Sequence, residues 1–412
     1  MYYLVIYSYV CLNKNGHEVL FYNTLDQSYF ITKPSMVIRE TFDLLTNESA
    51  CVTISHELFS NVEFKKLLRK IELKNMGFIE CASYFKVKPF SPPLELFSKD
   101  NEEIIFFNRP KHLVENIKEV TIYLNNYSDS NYLNINTVKQ AHKQFNYSLL
   151  NDELRNELDI KALFKFINAI PKHVNINFLG GNILNYKNLS ILLNSLLDSS
   201  YRVKLHIHYM DLLELADIDI IELICKFHML VFIDFPISIE IFIEIKDKLK
   251  NANYNLNFIV ENDSDFELSE KMIGDFNLSS YNHTPFFNGK NLSFFKKNVY
   301  INKTDLFQVK HSIVELLINK TSNPHYFGKL ILNSDGNLYT SFHRKPLINV
   351  KEFTENKEIT INSLITDEES DWIQNKPKFF PCNKCIYNFL CTPLSNYEKV
   401  IGKNNLCTLV KS

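Results

Sequence analysis

Four cysteines near the end of the chain set the first chemical question. In "PCNKCIYNFLC", Cys382, Cys385 and Cys391 follow the spacing C-x2-C-x5-C, and Cys407 follows after fifteen intervening residues in "NNLC". Two cysteines separated by two residues can turn both sulfurs toward one ion. Two further thiolates complete a tetrahedral set that suits zinc or a 4Fe–4S cluster. The x5 spacing is wider than the second half of a zinc ribbon and leans toward a cluster. Disulfides and plain core thiols are the competing readings, but four cysteines within 26 residues make a shared centre the expectation.

Other chemistry-bearing groups are sparser. "LHIHYMD" puts His206 and His208 on one strand face with Asp211 nearby. Such a set can hold a metal, or it can be hydrogen-bonded core. Asp234 and Glu261 close two strands, where they serve either a site or the capping of loops. Gly180 and Gly181 end a strand in "LGGN", as a simple strand–helix turn or a remnant of a cofactor pocket. There is no phosphate-binding Walker loop, no Gly-x-Ser-x-Gly and no zincin helix.

The elements that position these groups fall into blocks. The 412 residues allow two or three domains. At 45% hydrophobic and 22% charged residues the composition is that of a globular protein, and a net charge of −2 gives no reason to expect nucleic acid. The 33 Phe and 21 Tyr against one Trp read as codon bias. The apolar N-terminus has no basic start and no cleavage site, and no stretch reaches membrane-spanning length. Scattered single cysteines then suggest reduced thiols and a cytoplasmic protein without membrane contact.

Residues 1–88 read as one unit. "YYLVIYSYVCL" and "HEVLFYNTL" form strands around the hairpin turn "NKNG", "SYFI" gives a third, and three helices follow in "PSMVIRETFDLLT", "SHELFS" and "NVEFKKLLRKIELKN" before "MGFIEC" closes the unit. The order is winged-helix-like. Pro89, Pro92 and Pro93 mark a linker over 89–117. Over 118–300 the strands "EVTIYL", "VNINFL", "VKLHIHY", "MLVFIDF", "LNFIVE" and "SYNHTPFF" alternate with amphipathic runs, which predicts an α/β fold with a parallel sheet, a partial (β/α)6 barrel. In 301–412 a helix "TDLFQVKHSIVELLINK" leads to a hairpin at Asp335-Gly336 and then to the cysteines.

With these residues in view, "PCNKCIYNFLCTPLSNYEKVIGKNNLC" resembles the SPASM region of radical S-adenosylmethionine peptide maturases. It is most similar to the pseudo-radical-SAM maturase-like proteins of Bacteroidales peptide systems. "NFLGGNI", "FFNGKNLSFF" and "YFGKLILNSDGNLY" extend the likeness along nearly the whole chain. The resemblance implies a partial barrel with a C-terminal auxiliary-cluster domain, the outer cluster being held by Cys382, Cys385, Cys391 and Cys407. It also implies cysteines where this chain has Ser341 and Ser395, so an inner cluster is not expected. The catalytic cluster of such enzymes takes C-x3-C-x2-C after the first barrel strand. Here Ser128, Tyr132 and Ile135 stand by position, and no cysteine lies between Cys81 and Cys225. Active relatives carry an acidic residue and a proline where this chain has Asn182 and Ile183. Cleavage of S-adenosylmethionine is therefore not expected.

The first block resembles the element that binds leader peptides as an added strand. On that likeness Tyr29 and Ile31 would mark the edge, with Phe64, Leu67, Leu68 and Ile71 on the neighbouring helix, although each could equally be core. The expectation is a non-catalytic maturation factor. It would bind a ribosomal precursor peptide and partner a co-encoded radical SAM maturase or an exporter. The alternatives are an enzyme using the remaining cluster, and a zinc-stabilised scaffold.

Overall fold

The computed structural model describes residues 1–47, 50–89, 117–126, 156–342, 344–352 and 371–409. Ser128, Tyr132, Ile135 and most of the linker lie outside them.

The N-terminal block contains β1 (Tyr2–Ile6), β2 (Val10–Asn15), β3 (Glu18–Asn23), β4 (Tyr29–Thr32), α1 (Met36–Asn47), β5 (Cys51–Ile54), α2 (His56–Ser60), α3 (Val62–Leu73) and β6 (Gly77–Cys81). The expected long first strand is two. A turn closed by Val10 N–H donating to the Tyr7 carbonyl splits it, and the halves enter different antiparallel sheets, β5-β1-β6 and β2-β3-β4. β5 was not anticipated, so six strands interleave with three helices where three strands followed by three helices were read. The "NKNG" hairpin is present, with Asn15 opposite Glu18 and Gly16 at a φ of 55°. Asn61 caps α3 by accepting from the amides of Glu63 and Phe64.

The central run has β7 (Glu119–Tyr123), α4 (Ile160–Ile167), β8 (Asn175–Leu179), α5 (Leu189–Leu197), β9 (Arg202–His208), α6 (Tyr209–Glu214), α7 (Ile218–Ile224), β10 (His228–Ile233), α8 (Ile239–Lys248), β11 (Asn253–Val260), α9 (Asp263–Asp275) and β12 (Tyr281–Pro285). All six expected strands form, each parallel to the next. Then come α10 (Leu292–Asn298), α11 (Lys303–Gln308), α12 (Ile313–Thr321), β13 (Lys329–Leu332), β14 (Asn337–Tyr339), β15 (Ile348–Asn349) and α13 (Asn396–Ile401). The single helix expected over 304–320 breaks between Gln308 and Ile313, where Ser312 and Glu315 form a capping box that starts α12.

The hairpin at Asp335-Gly336 forms, with Gly336 at a φ of 86°, and β13 lies parallel to β7 on its free side. One nine-stranded sheet results, in the order β12-β11-β10-β9-β8-β7-β13-β14-β15. The chain is thus α/β with a large, mostly parallel sheet. Strand side chains alternate: Ile122, Phe178, Ile207, Val231 and Phe258 join the main core beneath the helices. Tyr123, Leu179, Phe232 and Ile259 belong to two smaller clusters on the other face. No helix of the described residues is long and apolar enough to cross a membrane.

Candidate metal centre

The four cysteines hang on short turns rather than on long elements. A 3-10 turn over Cys382–Lys384 closes with Cys385 N–H donating to the Cys382 carbonyl at 2.9 Å, so the x2 spacing becomes one tight loop. Cys391 follows within an apolar cluster with Ile386, Phe389 and Leu390. Cys407 is delivered by a backbone bridge to Ile301, which precedes α11. Cys382, Cys385 and Cys391 are buried and Cys407 is half-buried.

Burial is the main force raising the thiols: Cys382 is pushed up to about 11 and Cys391 to about 12, and Cys385 also rises. The field of Cys407 adds to each of the three. Among the described residues, however, no three His, Cys, Asp or Glu side chains stand in a metal-holding arrangement. The donor set suits a thiophilic centre in number and softness, and loading would have to displace its protons.

Charged groups missed in the sequence surround this region. Lys376 and Glu398 form a buried ion pair at 3.2 Å. Burial opposes the Lys376 ammonium, but Glu398, Cys391 and Cys382 outweigh it and the net shift is upward. Asp371, also buried, takes Lys399 at 2.6 Å and Arg344 at 3.6 Å. The serines singled out earlier both belong to these networks. Ser341 donates to Asp371, and Ser395 caps α13 in a capping box with Glu398. The Ser395-x-x-Glu398 spacing is a readable signal for that cap. Nothing in the sequence pairs Lys376 with Glu398.

The remaining candidates divide. His208 Nε2 lies 3.1 Å from Asp234 Oδ1, both buried, on adjacent strand ends. His206 tilts against Phe232, with ring centres 5.7 Å apart. Asp211 is buried in the first turn of α6. Glu261 instead accepts from the Asn288 side chain at 2.7 Å and holds a loop. Gly180 has a packing reason: a Cβ there would sit 2.5 Å from Asn125 Oδ1 and 2.8 Å from the Asn125 carbonyl. Asn125 clamps this turn by accepting from Gly181 N–H and donating to the Asn182 carbonyl. Asn182 in turn caps the short turn Ile183–Asn185.

Phe64, Leu67, Leu68 and Ile71 face inward from α3 into the core of the N-terminal block. Tyr29 and Ile31 pack on the C-terminal residues instead. The Tyr29 ring stacks on Phe307 with centres 3.6 Å apart and planes within 6°. Asn13 seals the same contact by donating to the Ile386 carbonyl at 2.9 Å and to the Asn388 side chain at 3.0 Å. These side chains are engaged within the protein, while the backbone edge of β4 pairs only with β3 among the described residues.

No protein-family model and no curated protein matches the chain. Among solved structures it is similar to Streptococcus suis SuiB bound to the precursor peptide SuiA, at 12% identity over 98% of this chain and 97% of that one, with a TM-score of 0.43. It is also similar to SuiB bound to S-adenosylmethionine, at 13% identity over 97% of each chain and a TM-score of 0.44. A third SuiB structure gives 11% identity over 97% of each chain and a TM-score of 0.40.

Proposed function

We propose that this protein is a non-catalytic, pseudo-radical-SAM maturation factor for a ribosomally made peptide. In this reading residues 1–88 recognise the precursor, 118–300 form a partial barrel kept as a spacer, and 301–412 carry one 4Fe–4S centre on Cys382, Cys385, Cys391 and Cys407. One observation carries it. The chain has four distal cysteines at C-x2-C-x5-C plus Cys407, three of them buried, while the stretch between Cys81 and Cys225 has no thiol for a catalytic cluster. A closed four-thiolate centre has no open iron at which to bind S-adenosylmethionine. The outer edge of β4, unpaired among the described residues, supports strand addition as the mode of peptide binding.

The test has two arms. Full-length protein purified anaerobically, reduced and given S-adenosylmethionine is assayed for 5′-deoxyadenosine. The same protein is used to capture peptides and enzymes encoded beside it. The expected result is no 5′-deoxyadenosine above buffer, with capture of a short precursor. Product that disappears in a Cys407→Ala variant would show the surviving centre to be catalytic and end the reading.

A further inference from the structure

The contact between the two ends of the chain has a consequence for what the β4 edge can accept. Side chains along a strand added beside β4 must alternate with those of β4 itself. Phe30 points into the core of the N-terminal block, stacked on Phe21 with centres 4.6 Å apart. Tyr29 and Ile31 point the other way, toward Phe307 and Tyr387, whose rings meet edge-on at 5.8 Å. Tyr29, Ile31, Phe307 and Tyr387 are each only half-buried, and Val309 beside them is exposed. A newcomer at this edge would therefore meet apolar surface on the face supplied by the far end of the sequence.

Two cations there are free of ion pairs among the described residues. Lys303, over the Tyr387 ring at 6.0 Å, and Lys310 are both exposed, and neither has a carboxylate partner among the described residues. The neighbouring carboxylates are engaged. Asp305 accepts from the Asn302 amide and Glu315 from the Ser312 amide and hydroxyl, each closing a capping box. The cations remain available to a ligand while the anions are turned to their helices.

We propose that the outer edge of β4 and the Phe307–Tyr387 pair form one docking surface for an extended peptide with apolar alternate side chains and flanking carboxylates. The surface is thus built from both ends of the chain. This inference rests on the peptide-binding role proposed above and specifies the peptide's chemistry.

Random peptides displayed on phage, panned on the full-length protein, supply the probe. Enriched peptides should alternate apolar residues beside Asp or Glu, and should lose binding when alternate amides are N-methylated. Lys303→Glu with Lys310→Glu should weaken them about tenfold without changing the melting temperature, whereas Lys250→Glu, an exposed control, should not. Phe307→Ala should weaken them as well, with folding checked by melting. Enrichment of N-methyl-sensitive peptides that ignore Lys303→Glu, Lys310→Glu and Phe307→Ala would overturn the bipartite surface and leave the peptide role standing. No enrichment over a blank surface would overturn both.

Discussion

At the residue scale the cysteines and the buried charges make separable demands. Cys385→Ala removes a thiol from the tight Cys382–Cys385 loop, so iron or zinc content measured on the purified protein should fall to background and the melting temperature should drop. Full metal content in that variant would refute the shared centre. Glu398→Gln keeps the capping geometry but leaves the buried Lys376 ammonium without its counter-charge, at a cost of about 3–5 kcal/mol. Urea denaturation should show that loss, and the double variant Lys376→Met/Glu398→Leu should recover much of it. His325 gives a pH dependence. Burial first, then Lys329 and Lys399, hold its imidazole down at about 4, so the folded chain keeps it neutral while the unfolded chain protonates it near 6.5. Stability should therefore be full above pH 6.5 and fall toward pH 4, by roughly 3 kcal/mol in all. In His325→Asn that part of the slope should vanish from pH-dependent melts.

At the element scale, close approach decides what is tolerated. Gly180 lets the turn after β8 lie against Asn125 at the end of β7. Gly180→Ala should cost about 1–3 kcal/mol through overpacking, read as a lower melting temperature. Asn125→Ala should not restore it, because the backbone carbonyl remains in the way. Local signals of this kind were legible where they are self-contained. Asn15-Gly16 and Asp335-Gly336 announced hairpins through their turn chemistry, and six apolar runs announced the parallel strands. The break within the first strand was not legible, because Tyr7, Ser8 and Tyr9 carry no Gly or Pro and the split follows from pairing with β5 and β6. The break before α12 was hidden by apolar periodicity running through it, although Ser312 and Glu315 at capping spacing were there to be read.

At the scale of the whole molecule, the ends of the chain are parts of one structure. β13 lengthens the sheet beside β7, and the face of the β2-β3-β4 sheet packs on residues from 301–316 and 386–391. The tight Cys382–Cys385 loop was readable from its x2 spacing. That Tyr29 and Ile31 face Phe307 rather than solvent was not, since only long-range packing decides which side of a strand is covered. The N-terminal block has a core of its own, yet its buried Leu20 and Tyr22 belong to the cluster shared with Phe389 and Leu390. A fragment of residues 1–88 should fold by circular dichroism but self-associate in size-exclusion chromatography, and Leu20→Lys should return it to a monomer. A monomeric fragment without that substitution would contradict the contact.

The hydrogen bond between Asn13 and Asn388 joins residues 375 positions apart. On a ribosome adding about 5–20 residues per second, the first sheet emerges tens of seconds before the surface that covers it exists. Throughout that interval a nascent chain presents Leu20, Tyr22, Tyr29 and Ile31 to the cell. The early block thus carries an uncovered apolar face until residues 386–391 have been made, and a product cut short before them keeps it.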